Sequence, residues 1–434
     1  MASIGDCSAL AGVSPRSTPR ALLLVTTLLG LGCAGPTRKV PPAESPLGQL
    51  PGRWDNLFVT VPAADGPLQM HYLAAGPRDA PRVLLLHGFP DFSYTWREIV
   101  PLLAGEYRVI APDLRGYAAT AKPRKGYDLD NLAADILAFA DASAKADGAP
   151  DATPTHLIGH DWGAAIGWWT VLAAPQRFTS FTALSVPHPR TFNEFLERSP
   201  EQRKRSRYMR LLTFPGVPAV IAGMRDKKRK SLYRDDLARK DAFGDVELIW
   251  YRTAFDSTWE TRGPLRYYQQ KFRRAKANNA AARARPKVTT PVLVLWGQQD
   301  KYLMWAMAAE SCKYVEDGKC TVHVFPDVSH WPHWDDPQGV VQRWRAFVAG
   351  APVPAAAATR RPRTRRPRTR RPRTRRPRTR RPRTRRPRPR RPRPRRRRRP
   401  AERRRGASRR PGSLRQRRGA RGRLRGAGLS PARP

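Results

Sequence analysis

Between Trp54 and Gly350 short apolar runs alternate with longer amphipathic stretches. The runs are Val83-Leu-Leu-Leu86, Val109-Ile-Ala111, His156-Leu-Ile158, Phe181-Thr-Ala-Leu184, Val292-Leu-Val-Leu295 and Val322-His-Val-Phe325, most of them bounded by Gly, Pro or Asp. Most are apolar on both faces, the mark of buried parallel strands. Leu129 to Asp141 and Trp162 to Ala174 carry a helical period between them. The alternation predicts an α/β fold, with a mostly parallel sheet covered by helices on both faces. It stops between Pro187 and Pro286, a span rich in Arg and Tyr. That span predicts a helical cap inserted over the sheet. Ligands of such sheets bind beyond the carboxyl ends of the strands, so the chemistry is expected just after these runs.

Charge changes the picture at the far end of the 434-residue chain. Of its 83 Lys and Arg, 38 lie from Thr359 onward, where Glu402 is the only acid. That stretch has no aromatic residue and three leucines, so it cannot bury enough apolar surface to offset its ordering entropy. Thr-Arg-Arg-Pro-Arg repeats six times from Thr359 to Arg388. Proline at that spacing forbids a helix. The arginines suit non-specific polyanion binding through counterion release. Without interleaved aromatics, sequence-specific nucleic-acid reading is not expected. An expanded tandem repeat, with no role of its own, explains the composition more simply. The remaining 358 residues carry only +11.

At the start, Arg16 and Arg20 precede the apolar run Ala21–Leu31, too short to span a bilayer core. The pattern predicts a secretory signal. Gly32-Cys33-Ala34 resembles a lipoprotein processing site, although Gly30 stands where leucine is usual. An exported protein is therefore expected, either simply secreted or anchored to the membrane through lipidated Cys33, with a cytoplasmic enzyme as the alternative. The resulting division is a signal segment (1–32), a proline-rich tether (33–52), a core in two parts (53–189 and 287–350), a cap (190–286) and a disordered tail (351–434). In an exported protein Cys312 and Cys320 are expected to form a disulfide.

Three polar residues follow strands in the order nucleophile, acid, histidine. Gly159-His160-Asp161-Trp162-Gly163 lies between a strand and a helix, with small residues two positions either side of Asp161. That is a nucleophile elbow with aspartate in place of serine. A carboxylate is ionised at neutral pH and needs no base to attack, but it is a weak nucleophile. It suits displacement at an sp³ carbon that bears a strained or good leaving group. Asp300 follows the Val292 strand and His330 follows the Val322 strand, as acid and base of a triad should. His333 and His188 compete on residue type but read as structural. His87-Gly88-Phe89-Pro90 after the first long strand predicts an oxyanion hole from the amides of Phe89 and Trp162.

The body resembles the epoxide-hydrolase branch of the α/β-hydrolases from Arg53 to Phe347. His87-Gly-Phe-Pro90, Ala111-Pro-Asp-Leu-Arg-Gly-Tyr117, Gly159-His-Asp-Trp-Gly163, Val186-Pro-His-Pro189 and Ser329-His-Trp331 carry the resemblance. It implies the α/β-hydrolase fold and two cap tyrosines that donate hydrogen bonds to an epoxide oxygen. Ser206-Arg-Tyr-Met209 puts the first on Tyr208, and Gly263-Pro-Leu-Arg-Tyr-Tyr268 the second on Tyr268. Arg207 and Arg266 depart from the tryptophan and asparagine common there. The implied partners are a small apolar epoxide and water, with no metal or organic cofactor. A haloalkane dehalogenase shares the aspartate elbow, but Phe89 replaces the asparagine that many of those enzymes use to hold halide. An inactive scaffold binding polyanions through its tail is the reading from another class.

Overall fold

A computed structural model describes residues 46–150 and 153–354. The expectations for the leader, Cys33 and the Arg/Pro repeats lie outside the described residues. Among the described residues, no helix is long and apolar enough to cross a membrane.

Eight strands form one sheet in the order β1-β2-β4-β3-β5-β6-β7-β8. They are β1 (Asp55–Val61), β2 (Leu68–Ala75), β3 (Arg82–Leu86), β4 (Arg108–Pro112), β5 (Thr155–His160), β6 (Phe178–Leu184), β7 (Val292–Gly297) and β8 (Cys320–Phe325). From β4 through β8 all neighbours are parallel. The six expected strands are the six parallel ones. β3, β4 and β7 are buried along their whole length, which their continuous Val, Leu and Ile allow. β1 and β2 join as an antiparallel hairpin that the apolar runs did not reveal. β1 is mostly half-exposed, and in Asp-Asn-Leu-Phe-Val-Thr-Val polar residues interrupt the apolar run.

Helices α1 (Leu129–Ala146) and α2 (Trp162–Ala173) flank β5 in sequence. Asp128 caps α1 by accepting from the Asn131 amide. α1 runs five residues beyond the expected Asp141, because small Ala and Ser continue its buried face as far as Ala144. The proline-rich stretch also differs from a free tether. From Pro46 it packs on the core, with Leu47 and Leu50 each 2% exposed. The Asn56 side chain holds Leu50 from both sides, accepting from its amide at 2.8 Å and donating to its carbonyl at 2.9 Å.

Between β6 and β7 the chain is helical, with α3 (Pro189–Arg198), α4 (Arg207–Leu211), α5 (Asp226–Arg234), α6 (Asp245–Ala254), α7 (Thr258–Arg273) and α8 (Ala275–Ala284) among its elements. Where α7 meets the loop after β4, Gly263 lies against Gly116. A Cβ on Gly263 would collide with the Gly116 carbonyl and lie 2.7 Å from its Cα. That approach seats α7 above the carboxyl ends of the parallel strands. Cys312 and Cys320 are bonded, with Cα atoms 5.5 Å apart, inside the range a disulfide requires.

Candidate active site

β5 runs through the middle of the sheet and ends at His160. The next residue, Asp161, turns the chain into α2 with φ 49° and ψ −121°. Few side chains adopt that conformation, and where it persists the surroundings hold it. Small neighbours make the turn possible. A Cβ on Gly159 would lie 2.6 Å from the Gly163 carbonyl oxygen, and one on Gly163 would collide with the Leu86 carbonyl. Asp161 makes no side-chain capping bond to α2, so its carboxylate is free for other partners.

Those partners are the expected ones. Asp161 Oδ1 accepts from the Phe89 amide at 2.8 Å, and Oδ2 lies 3.6 Å from His330 Nε2. His330 Nδ1 lies 2.7 Å from Asp300 Oδ2. Asp300 is fixed by three N–H donors: Trp296 Nε1 at 3.1 Å, the Tyr302 amide at 2.7 Å and the Leu303 amide at 2.9 Å. A carboxylate so surrounded is an acceptor only, which assigns the Nδ1 proton of His330. Trp162 begins α2, where its N–H has no intrahelical acceptor.

Electrostatics follow from this stacking. Burial alone would push the His330 imidazole down, but the Asp300 charge and hydrogen bonds to Asp161 and Asp300 raise it to about 10. Burial would likewise raise the Asp161 carboxyl. The His330 hydrogen bond and charge outweigh it and hold Asp161 below its ordinary value. The resting site is therefore a carboxylate facing an imidazolium.

Tyr208 on α4 and Tyr268 on α7 close the site from above, with ring centres 6.5 Å apart. The Tyr268 ring meets Phe89 at 5.4 Å and Trp162 at 5.2 Å, both edge-on. Burial and then the Asp161 charge raise the Tyr208 hydroxyl well above 10. For Tyr268 burial leads, followed by Tyr208 and Asp161. Both phenols stay protonated and can donate. A cavity of about 210 Å³ opens on Asp161, Trp162 and Tyr268 and is otherwise lined largely by apolar groups such as Phe192, Met209 and Leu303.

The competing histidines lie elsewhere in the network. His188 caps α3, its Nδ1 accepting from the Arg190 amide at 3.2 Å, and burial lowers it to about 3. His333 is buried beside Thr95, with Nε2 2.9 Å from the hydroxyl oxygen. Three further residues bear on the site without a sequence signal of their own. His160 Nε2 donates to the His330 carbonyl at 2.9 Å and so anchors the base. Asp91 accepts from Tyr251 at 2.9 Å and Trp331 at 3.0 Å, linking cap to core. Tyr302 packs edge-on against both Tyr208 and His330. Asp91, His160 and His333 are the one group with spacing suited to a metal among the described residues. Asp91 accepts hydrogen bonds through both oxygens, and the two histidines are bonded through Nε2, whereas Nδ1 of each is buried without a hydrogen-bond partner.

A family profile described as the alpha/beta hydrolase fold matches residues 81–337. Human epoxide hydrolase 4 is 33% identical over 325 residues, covering 73% of this chain and 85% of its own. The chain belongs to the α/β-hydrolases, in their epoxide-hydrolase-like family. Within that family, Caenorhabditis elegans epoxide hydrolase 2 is 31% identical over 66% of this chain and 77% of its own. The crystal structure of the Bacillus megaterium epoxide hydrolase with an inhibitor superposes with a TM-score of 0.57 at 26% identity. That match covers 68% of this chain and all of the other. Membership in this α/β-hydrolase family makes the protein an enzyme and agrees with the strand order above.

Proposed function

We propose that the protein hydrolyses epoxides to vicinal diols through an alkyl ester on Asp161. The observation that carries this reading is a pair of protonated phenols near an ionised Asp161: Tyr268 lines the cavity that opens on it, and the Tyr208 ring lies 6.5 Å from that of Tyr268. An epoxide oxygen stays attached when its ring opens and needs O–H donors beside it. Asp161 attacks one ring carbon while the tyrosines hydrogen-bond the oxygen. Esterification removes the Asp161 charge that helps keep His330 protonated. The imidazolium can then give up its proton, which balances the alkoxide formed. Neutral His330, oriented by Asp300, next takes a proton from water as that water attacks the ester carbonyl. The Phe89 and Trp162 amides hold the oxyanion, and its collapse returns carboxylate, imidazolium and diol.

Halide displacement from a haloalkane would use the same nucleophile. A departing halide, however, needs side-chain N–H donors; Trp162, which lines the cavity, can supply one, but the Phe89 side chain supplies none. The test is a substrate panel of terminal epoxides and 1-haloalkanes of matched chain length. Diol formation without halide release is expected; halide release without diol would reverse the assignment.

Export completes the proposal. The leader pattern and a cysteine pair at bonding distance both suit an oxidising compartment, where Cys33 would carry the anchor. Radiolabelled palmitate entering the wild type but not Cys33→Ser is the expected result. Polyanion binding by the tail is proposed as charge-driven only.

A further inference from the structure

The cavity above Asp161 is mostly apolar, yet Lys271 also lines it, along with the amides of Asn193, Gln270, Asn278 and Asn279. Lys271 stands three residues after Tyr268 on α7. That spacing places it on the same helix face, about 4.5 Å further along the axis. The site's own acids are engaged elsewhere. Asp161 faces His330. Asp128, the other acid of the lining, caps α1 and lies 3.3 Å from Arg274. Among the described residues Lys271 forms no ion pair, and its ammonium rests 4.3 Å from the centre of the Phe192 ring. Burial lowers the amine to about 8, with no neighbouring charge to offset it, so it stays mostly protonated at pH 7.

An ammonium half-buried against apolar groups, with no acid beside it, is less favourable than one in water and gains from pairing with a negative group. The aromatic contact compensates only in part. We propose, on the basis of the epoxide reading above, that Lys271 pairs with a carboxylate carried by the substrate. The enzyme then favours epoxides bearing an acid group over neutral ones of the same shape. The amides around Lys271 offer N–H donors to the same anion, and the apolar lining takes the hydrocarbon between acid and epoxide.

The test compares an epoxyalkanoic acid with its methyl ester, which keeps the chain and removes the charge. In the wild type kcat/KM for the acid should exceed that for the ester by about tenfold or more, the scale of a charge-assisted contact. Lys271→Met should bring the ratio close to one, chiefly by raising KM for the acid. Lys271→Arg should keep the acid preferred. A wild-type ratio at or below one overturns the assignment without any variant, and so does a ratio unchanged in Lys271→Met. Equal turnover of acid and ester would leave the epoxide reading standing and remove only Lys271. Turnover of neither would remove both.

Discussion

His330 lies between two carboxylates, with Asp300 on Nδ1 and Asp161 facing Nε2. Its raised value, about 10, makes the site a source of stability as well as of catalysis. A histidine raised above its unfolded value contributes stability that is whole below about pH 6.5 and declines as pH climbs through the folded value. His330→Gln should therefore be less stable than the wild type by a margin largest near pH 6, narrowing toward pH 10. Urea midpoints across that range check it, and a margin independent of pH would contradict a charged resting histidine. Asp161, Asp300 and His330 were legible in the sequence because each follows a recognisable strand. Asp91, His160 and Tyr302 were not legible as support, since what they do depends on partners far away in the chain. The His160 bond to the His330 carbonyl spans 170 positions.

The elements that were legible are those whose burial is continuous. β3 and β7 are enclosed on both faces, and their apolar runs announced them. The β1–β2 hairpin is half-exposed on β1, where polar residues break the apolar run, so it gave a weaker signal. The cap was legible as an interruption, but its division into α3 to α8 was not. Pro264 lies inside α7, where sequence reasoning would end a helix. The seating of α7 depends on the bare backbone contact of Gly263 with Gly116. Gly263→Ala should push this helix outward and move Tyr268 away from Trp162. We expect kcat for a neutral epoxide to fall about tenfold or more, since sub-ångström placement governs such donors. Unchanged turnover in a folded variant would show that this contact does not set the position of the tyrosine.

For the whole molecule, charge and chemistry lie in different parts of the chain. Every residue assigned to the reaction lies between Phe89 and His330, whereas the densest positive charge begins at Thr359. Ending the chain at Pro354 should leave kcat/KM for a neutral epoxide within about twofold, because long-range steering acts on charged ligands. The same truncation should abolish salt-dependent retention on a phosphate-bearing matrix. A tenfold loss of turnover with the neutral substrate would make the tail part of the enzyme. The proline-rich approach to the body differs in this respect. Leu47 and Leu50 are buried, so deletions reaching Pro46 should destabilise the fold, which the proline spacing alone did not announce.

The covalent step is tested most directly by trapping it. His330→Gln keeps a polar side chain of similar reach but cannot act as a base at neutral pH. Mixed with an epoxide, this variant should form the ester at Asp161 and stall. The intact protein should gain the mass of one epoxide, and peptide mapping should place the gain on Gly159–Gly163. Asp161→Asn should neither turn over nor gain mass, because an amide is a far poorer nucleophile. Direct attack of water on the ring predicts no adduct in either variant. An unmodified His330→Gln that is folded and binds the epoxide would contradict the covalent mechanism.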